Sequence, residues 1–296
     1  RISVVTPSYN QARFLEECIS SVVNQNYPNI EYVIIDGESN DGSVDIICKH
    51  KDRIAYWISE PDEGQYDAIN KGFRRTTGEI MSWLNADDKY TPWAFSVVAD
   101  VFRTFPEVEW LTSVYPLSFN EKGQAVGCLY TGGFNRRSFF RGANLGGKSW
   151  YSRTRIQQES TFWRRSLWER AGGYVDASLR LAADFELWAR FYQHSDLYGV
   201  AALLGGFRSH KHQKTAFYMN EYLTEAERVF RRYGGRPYGK LESTLRRVLL
   251  YGLGYRSLRG LPNPLASLSS RLGILYPVKV CIYEGLNWKI VTGYIS

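Results

Sequence analysis

Residues 79–89 read Glu-Ile-Met-Ser-Trp-Leu-Asn-Ala-Asp-Asp-Lys, and this stretch decides the fold. Its first half is apolar and predicts a short buried strand. The strand would end on three polar side chains, those of Asn85, Asp87 and Asp88. Two adjacent carboxylates repel one another, and a divalent cation carrying a diphosphate would relieve that repulsion. The alternative is that one of the two acids only caps a helix that begins near Thr91.

Strands and helices are predicted to alternate in the residues before this stretch. Apolar runs at 2–6, 30–35 and 54–58 each end in a polar segment and are followed by the apolar periodicity of a helix. This alternation predicts an α/β fold with a mainly parallel sheet flanked by helices. Because ligands bind beyond the carboxyl ends of such strands, the four polar segments at one edge predict a binding site.

The composition limits the possible classes of protein. With 296 residues, 44% of them hydrophobic, the chain can form one large domain or a domain with an extension. It has no apolar run long enough to cross a membrane, no signal-peptide pattern and no CxxC pair among its four cysteines. It also lacks the GxGxxG and GxxxxGK[ST] loops of dinucleotide-binding and P-loop enzymes. These features predict a cytoplasmic protein without a zinc site.

Positive charge is concentrated in the last third of the chain. From residue 201 onward there are 15 Lys or Arg and 5 Asp or Glu, whereas the whole chain has a net charge of +7. No nucleic-acid motif accompanies this charge, so we expect the tail to face an anionic membrane or a phosphorylated substrate rather than DNA. Residues 216–296 are predicted to be a helical, basic extension. Its final segment, 272–290, is either an amphipathic element on the membrane surface or a set of helices that pack on the preceding domain.

Four segments are specific enough to indicate a family. They are 4–10 (Val-Val-Thr-Pro-Ser-Tyr-Asn), 35–43 (Ile-Asp-Gly-Glu-Ser-Asn-Asp-Gly-Ser), 60–72 (Glu-Pro-Asp-Glu-Gly-Gln-Tyr-Asp-Ala-Ile-Asn-Lys-Gly) and 84–88 (Leu-Asn-Ala-Asp-Asp). In these segments the chain resembles the inverting glycosyltransferases of family 2, which have the GT-A fold. The resemblance implies a Rossmann-like GT-A catalytic domain over residues 1–215, divided into a nucleotide-sugar-binding half (1–110) and an acceptor-binding half (111–215).

The resemblance also implies a donor site and a metal. The nucleotide-diphosphate sugar, with a UDP-sugar favoured, would contact residues at the strand ends: Thr6, Pro7, Tyr9, Asn10, Asp36, Glu38, Asp67, Lys71, Asn85, Ala86 and Asp87. A divalent metal, Mn²⁺ or Mg²⁺, would be held on the diphosphate by Asp87, Asp88 and His210. The chain departs from the family's Asp-x-Asp motif at its first position, where Asn85 is a neutral ligand that adds no charge.

The segment 181–191 predicts a helix with Asp184 in its first turn. An acid there could be only a favourable charge at the positive end of the helix dipole, worth about 0.3–1 kcal/mol. The segment also resembles the second acidic motif of the family, in which the equivalent acid is the general base. Displacement of a nucleoside diphosphate by a sugar hydroxyl needs a base that accepts the hydroxyl proton. We therefore expect Asp184 to be the catalytic residue of an inverting transfer.

Two further segments supply candidate residues in the second half. Glu159 and Trp163, just before a predicted helix at 165–171, are candidates for acceptor binding; either could instead be structural, as an exposed carboxylate and a core tryptophan. Arg208 and His210 belong to a segment that closes over the diphosphate in related transferases, and they could contact phosphate. The alternative is a solvated basic loop. Residues 110–152 are expected to form loops and short strands over the acceptor cleft.

The predicted function is the transfer of a hexose from a nucleotide-diphosphate sugar to a hydroxyl of a glycan or lipid-linked saccharide, with inversion, in polysaccharide biosynthesis. Peripheral association with the inner face of the cell membrane is expected, and binding of nucleic acid is not. The alternative is a catalytically silent sugar-nucleotide-binding or scaffold protein of a polysaccharide assembly complex. The presence of Asp87, Asp88 and Asp184 together favours the enzyme. A nucleotidyltransferase is disfavoured because residues 4–10 contain no glycine-rich phosphate loop.

Overall fold

The structure, a computed structural model, describes residues 1–147, 154–211, 213–252 and 275–295. Its first part alternates strands and helices, as the sequence predicts. The elements are β1 (Ile2–Ser8), α1 (Ala12–Val23), β2 (Ile30–Asp36), α2 (Ser43–Lys49), β3 (Tyr56–Ser59), α3 (Gln65–Phe73), β4 (Ile80–Trp83), β5 (Lys89–Tyr90) and α4 (Ala94–Thr104).

In the second part, short strands and helices are followed by two long helices and a hairpin. The elements are β6 (Trp110–Ser113), β7 (Leu117–Phe119), β8 (Ala125–Cys128), α5 (Arg136–Phe139), β9 (Thr161–Arg164), α6 (Arg165–Arg170), α7 (Ala183–His194), β10 (Tyr198–Val200), β11 (Gly205–Arg208), α8 (Lys214–Arg232), α9 (Lys240–Gly252), β12 (Tyr276–Glu284) and β13 (Asn287–Ile295). Loops and short strands between 110 and 147 are confirmed, and the prediction for residues 148–152 lies outside the described residues.

The central sheet has nine strands in the order β13-β12-β10-β6-β9-β4-β1-β2-β3. The pairs formed by β1 with β2 and β4, by β2 with β3, and by β10 with β6 and β12 are parallel. Strand β9 runs antiparallel to both of its neighbours, β4 and β6. A second sheet of four strands has the order β5-β11-β7-β8. The prediction of a mainly parallel sheet flanked by helices is confirmed.

Strand β1 shows why the sheet is covered on both faces. It is buried along its whole length, and its side chains alternate between two cores. Val4 belongs to the core that contains the buried faces of α1 and α4, whereas Val5 belongs to the core of α3 and α7. Helix α3 approaches β1 closely because Gly72 has no Cβ; a Cβ there would lie 2.4 Å from Cγ1 of Val5.

The C-terminal part differs from the prediction. Helices α8 and α9 confirm the helical extension up to Gly252, but residues 276–295 form the antiparallel hairpin β12–β13. Strand β12 pairs with β10, so the hairpin completes the central sheet and the helical prediction is wrong there. The physical reason is an apolar period of two, with Val278 and Val280 buried and Lys279 between them exposed. The residues 253–274, including the start of the predicted final segment, lie outside the described residues.

Two further features concern the helices and the cysteines. No helix among the described residues has the length and apolar character needed to cross a membrane. All four cysteines, Cys18, Cys48, Cys128 and Cys281, are free thiols.

Candidate functional site

A cleft of about 980 Å³ lies beyond the carboxyl ends of the first parallel strands. Pro7 and Tyr9 reach it from the end of β1, and Glu38 reaches it from the loop after β2. The turn after β4 contributes Asn85, Ala86, Asp87 and Asp88. Glu159 and Asp184 line the same cleft from the second half of the chain. The rule that ligands bind beyond the carboxyl ends of parallel strands thus located the cleft correctly.

Neighbouring protein groups contact both carboxylates of the turn after β4. Oδ2 of Asp87 lies 2.9 Å from Nε2 of His210. Oδ1 of Asp88 accepts the backbone N–H of Arg208 at 2.7 Å, and its Oδ2 accepts Nδ2–H of Asn85 at 3.2 Å. Burial and the neighbouring charge of Asp87 raise the pKa of the Asp88 carboxyl well above its usual range. The side chain of Asp87 therefore faces the cleft, while Asp88 is mainly engaged inside the protein.

The structure corrects the prediction that Arg208 contacts the diphosphate. Its side chain is only 2% exposed and does not line the cleft. Nε donates to the backbone carbonyl of Asp87 at 2.6 Å, and Nη2 pairs with Glu17 at 2.6 Å. Arg208 thus fixes the turn that carries Asp87 and Asp88 from behind. The sequence segment 206–208 is itself a strand, β11, and not a solvated loop.

Several residues predicted for the nucleotide site also support the cleft from behind. Asp36 is fully buried, and its carboxylate accepts hydrogen bonds from the backbone N–H and the hydroxyl of Ser39 and from the hydroxyl of Ser59. These bonds fix the loop in which Glu38 lines the cleft with a φ of +63°, a conformation that costs energy in a non-glycine residue. Thr6 is buried, and its hydroxyl accepts a hydrogen bond from Tyr32.

Three other predicted donor-site residues are not part of the cleft lining. Lys71 lies 3.3 Å from both Asp67 and Glu60, so the predicted pair Asp67 and Lys71 forms an ion pair on α3. Asn10 holds the neighbouring loop, because its Oδ1 accepts the backbone N–H of Asn40. Its φ of +51° is one that Asn tolerates. The structure therefore brings six of the eleven predicted donor residues to the cleft: Pro7, Tyr9, Glu38, Asn85, Ala86 and Asp87.

Asp184 lies in the first turn of α7, as predicted. Its Oδ1 is buried and has no hydrogen-bond partner among the described residues. Burial raises the pKa of the Asp184 carboxyl to about 6, and the positive charge of Arg155 acts in the opposite direction. A desolvated carboxylate with a free oxygen at the cleft is chemically suited to accept a proton.

The start of α7 is held in place by a residue that sequence analysis missed. The carboxylate of Glu225 on α8 accepts the backbone N–H groups of Arg180, Leu181 and Ala182 at 2.8–3.0 Å. A carboxylate at this position also suits the helix dipole. The hydroxyl of Tyr66 donates to the carbonyl of Leu181 at 2.7 Å. Because Glu225 caps a helix 40 residues away in sequence, no local pattern could have identified it.

The two residues predicted to bind the acceptor have different positions. Glu159 lines the cleft, and burial raises the pKa of its carboxyl to about 7, with the charges of Asp184 and Asp87 adding to the effect. Trp163 is fully buried and does not line the cleft. It packs edge-to-face against Trp83 and Trp188 at ring-centroid distances of 5.6 and 5.9 Å. The structural alternative is therefore correct for Trp163.

Three cationic side chains in the cleft were also missed: Arg155, Arg180 and Lys214. Arg180 forms an ion pair with Glu221 on α8, and Nζ of Lys214 lies 3.4 Å from Oε1 of Gln65. Burial lowers the pKa of the Lys214 ammonium group. Lys214 belongs to the basic stretch that follows β11, so charge was a possible signal for it, whereas Arg155 lies in a segment without periodicity.

The described residues contain no group of three or more His, Cys, Asp or Glu side chains arranged to hold a metal ion. Asp87 nevertheless offers a carboxylate at the cleft. His210, predicted as a second metal ligand, does not line the cleft; its side chain is 1% exposed and lies 2.9 Å from Oδ2 of Asp87. Mg²⁺ and Mn²⁺ are commonly bound by one or two protein ligands together with phosphate oxygens and water. The site therefore fits a divalent cation that binds together with a diphosphate.

Comparison with known proteins shows which family the first part of the chain is similar to. The sequence profile of Glycosyl transferase family 2 matches residues 3–115. An uncharacterized glycosyltransferase of Nostoc is 37% identical over 107 residues, which are 35% of this chain and 33% of that protein. One of Mycobacterium tuberculosis is 29% identical over 189 residues, 62% of this chain and 66% of that protein. The chain thus spans between one third and about two thirds of the length of these relatives.

Two solved structures share the fold at low sequence identity. The structure of Staphylococcus aureus TarS (residues 1–349) with UDP-GlcNAc has a TM-score of 0.60 and 15% identity, covering 82% of this chain and 69% of that one. The mannosyltransferase PcManGT of Pyrobaculum calidifontis, with GDP-Man and Mn²⁺, has a TM-score of 0.55 and 18% identity, covering 92% and 79%. The predicted GT-A fold is confirmed by these similarities.

Proposed function

Because residues 3–115 belong to glycosyl transferase family 2, we propose that the chain is an inverting hexosyltransferase whose donor is a nucleotide-diphosphate sugar, with a UDP-sugar favoured. The acceptor would be a hydroxyl of a glycan or of a lipid-linked saccharide in polysaccharide biosynthesis. The observation that carries the proposal is the position of Asp184, which lines the same cleft as Asp87 and the strand ends and whose Oδ1 has no hydrogen-bond partner within the described residues.

The donor would occupy the side of the cleft formed by the strand ends. Pro7, Tyr9 and Glu38 are placed to border the base and ribose, and Asn85 can accept or donate a hydrogen bond there. The diphosphate would lie at Asp87, with the ammonium group of Lys214 as a cationic neighbour on the same cleft. TarS was solved with UDP-GlcNAc and PcManGT with GDP-Man, which supports a nucleotide-diphosphate sugar as the donor class.

The acceptor hydroxyl would approach from the side of Asp184 and Glu159. In a single displacement, Asp184 accepts the hydroxyl proton while the oxygen attacks the anomeric carbon and the nucleoside diphosphate leaves from the opposite face. The cap that Glu225 provides and the bond from Tyr66 hold the start of α7, so the position of the base is fixed before the substrate binds. The partial burial of Asp184 limits its contact with water, which would otherwise compete with the acceptor.

Asp87 would hold a divalent cation, Mn²⁺ or Mg²⁺, with His210 in contact with its carboxylate at 2.9 Å, and such an ion would stabilise the charge that develops on the leaving diphosphate. Asp88, by contrast, would not bind the cation, because its oxygens already accept hydrogen bonds from Arg208 and Asn85. It would instead hold the turn that carries Asp87. This division of roles between the two acids is part of the proposal.

The proposal is tested by a screen of UDP-, GDP- and dTDP-sugars, with and without Mn²⁺ or Mg²⁺. Thermal stabilisation reports donor binding, because a ligand of the native state stabilises it by mass action. Release of the nucleoside diphosphate reports turnover. We expect one of the donors to give both thermal stabilisation and release of the nucleoside diphosphate. Asp87→Ala should weaken donor binding by roughly 10–100-fold. Donor binding without any turnover, in the presence of candidate saccharide acceptors, would favour the silent sugar-nucleotide-binding protein. An unchanged rate in excess EDTA would remove the cation from the proposal.

A further inference from the structure

Helix α9 presents its apolar side chains to solvent. Leu241, Leu245 and Val248 are 85%, 58% and 62% exposed, respectively. At about 100° per residue, these three positions fall within an arc of about 60° on the helix. They therefore form one continuous stripe, and scattered exposed leucines would not show this spacing.

Two polar residues of α9 pack on the protein on the side opposite the stripe. Ser243 is 3% exposed, and Arg246 lies over the rings of Tyr238 and Tyr276 at 4.5 and 5.4 Å. Arg246 also pairs with Glu242 at 3.0 Å. A helix that docks only for the stability of its own domain normally turns its apolar face inward. Leu241, Leu245 and Val248 depart from this arrangement, so the outward stripe calls for another partner.

Positive charge surrounds the stripe. Residues 231–248 contain six Lys or Arg and one Asp or Glu, and two of the six, Arg231 and Arg232, pair with Glu227 and Asp176. Arg236 lies just before α9, and Lys240 is the first residue of this helix. Both are exposed, and neither side chain has a carboxylate partner among the described residues. The single acid, Glu242, is already shared between Arg246 and Arg141. The surface thus combines an apolar stripe with unneutralised cations beside it.

We propose that α9 lies in the interface of an anionic lipid bilayer, with Leu241, Leu245 and Val248 at the boundary between headgroups and acyl chains. Arg236 and Lys240 would then meet lipid phosphates, which is the arrangement expected of an interfacial amphipathic helix. A second copy of the chain fits this surface less well, because its basic residues would be brought against one another. Three side chains are also a small patch compared with the surface that a stable dimer buries. The proposal rests on α9 alone and does not depend on the proposed transfer reaction.

The test measures binding of the full chain to sedimented vesicles. We expect binding to vesicles that contain phosphatidylglycerol and much weaker binding to pure phosphatidylcholine. Raising the ionic strength from roughly 0.01 M to 0.15 M, which shortens the Debye length from about 30 to about 8 Å, should weaken it. The variant Leu241→Gln/Leu245→Gln/Val248→Gln keeps good helix formers and should bind roughly tenfold more weakly or worse.

Two further variants complete the test. Leu286→Asn is the matched control, because Leu286 is 84% exposed at the tip of the β12–β13 hairpin and its φ of +68° suits Asn; its binding should equal that of the wild type. Arg236→Gln/Lys240→Gln should reduce both binding and its salt dependence while leaving the stripe intact. The proposal is overturned if the triple variant binds like the wild type, or if neutral and anionic vesicles bind equally. It is also overturned if light scattering shows that the triple substitution dissociates a dimer in solution, because the stripe would then belong to a second copy.

Discussion

The turn after β4 and the first turn of α7 each carry two carboxylates, and the surroundings of the two pairs differ. In the turn after β4, Asp87 contacts His210, and Asp88 accepts hydrogen bonds from Arg208 and Asn85. In α7, Glu186 is fully paired, but Asp184 keeps a buried oxygen that has no hydrogen-bond partner in the described part of the chain. The difference indicates that one region uses its carboxylates to hold groups in place, while the other keeps one carboxylate available for a proton.

The contrast is sharpest between Asp184 and Glu186, which lie two residues apart on one helix. Glu186 is 1% exposed and binds Arg190 through several hydrogen bonds of 2.8–2.9 Å. It also accepts the hydroxyl of Tyr233 at 2.7 Å. Glu186 and Asp184 therefore form a natural pair of variants, in which substitution of one should affect stability and substitution of the other should affect turnover.

The largest expected effect is on turnover. Asp184→Asn keeps the shape of the side chain but removes the proton acceptor, so transfer should fall by a factor of roughly 10²–10⁴. Donor binding, measured by calorimetry or thermal stabilisation, should be retained. An Asn variant with near-normal turnover would mean that Asp184 is only an acid at a helix start, and Glu159 would then be the next carboxylate to test.

The next effect is on stability. Glu186→Gln leaves Arg190 buried without its charge partner and should lower the free energy of unfolding by about 3–5 kcal/mol, measured by urea denaturation. Per folded molecule, donor binding should be close to that of the wild type. If Glu186→Gln instead abolished turnover at unchanged stability, the roles assigned to the two acids would have to be exchanged.

Asp184→Asn is expected to raise the free energy of unfolding, whereas Glu186→Gln lowers it. The folded-state pKa of Asp184, about 6, lies above the ordinary aspartate value of 3.8, so burial favours the neutral carboxyl. The wild type therefore loses stability relative to the Asn variant as the pH rises through 6, whereas below about pH 4 the two should be equal. At pH 7.5 the variant should be more stable by about 3 kcal/mol. Equal unfolding free energies at both pH values would show that the carboxyl is not desolvated.

Local sequence patterns predicted the strands and helices that build the cleft, because apolar periodicity and polar strand ends are both encoded within a few residues. They did not predict the support behind the cleft. Arg208 contacts Glu17, and Glu225 caps α7, across long separations in sequence that no local pattern records. Trp163 could not be assigned to core or surface until its neighbours Trp83 and Trp188 were placed.

The C-terminal hairpin was missed for a different reason. Residues 276–295 mix apolar, aromatic and basic side chains, and such a mixture also fits helical amphipathicity. Their period of two becomes meaningful only once β10 is present as a partner for β12. Tertiary pairing, and not intrinsic propensity, determines the structure of this segment.

The central claim, a single displacement with Asp184 as the base, is tested most directly by the configuration of the product. With an α-linked nucleotide-sugar donor, the unmodified protein should form a β-glycoside, which the coupling constant of the anomeric proton in the NMR spectrum identifies. An α-glycoside from the same donor would contradict the account, because a base that activates the acceptor opposite the leaving group cannot produce retention.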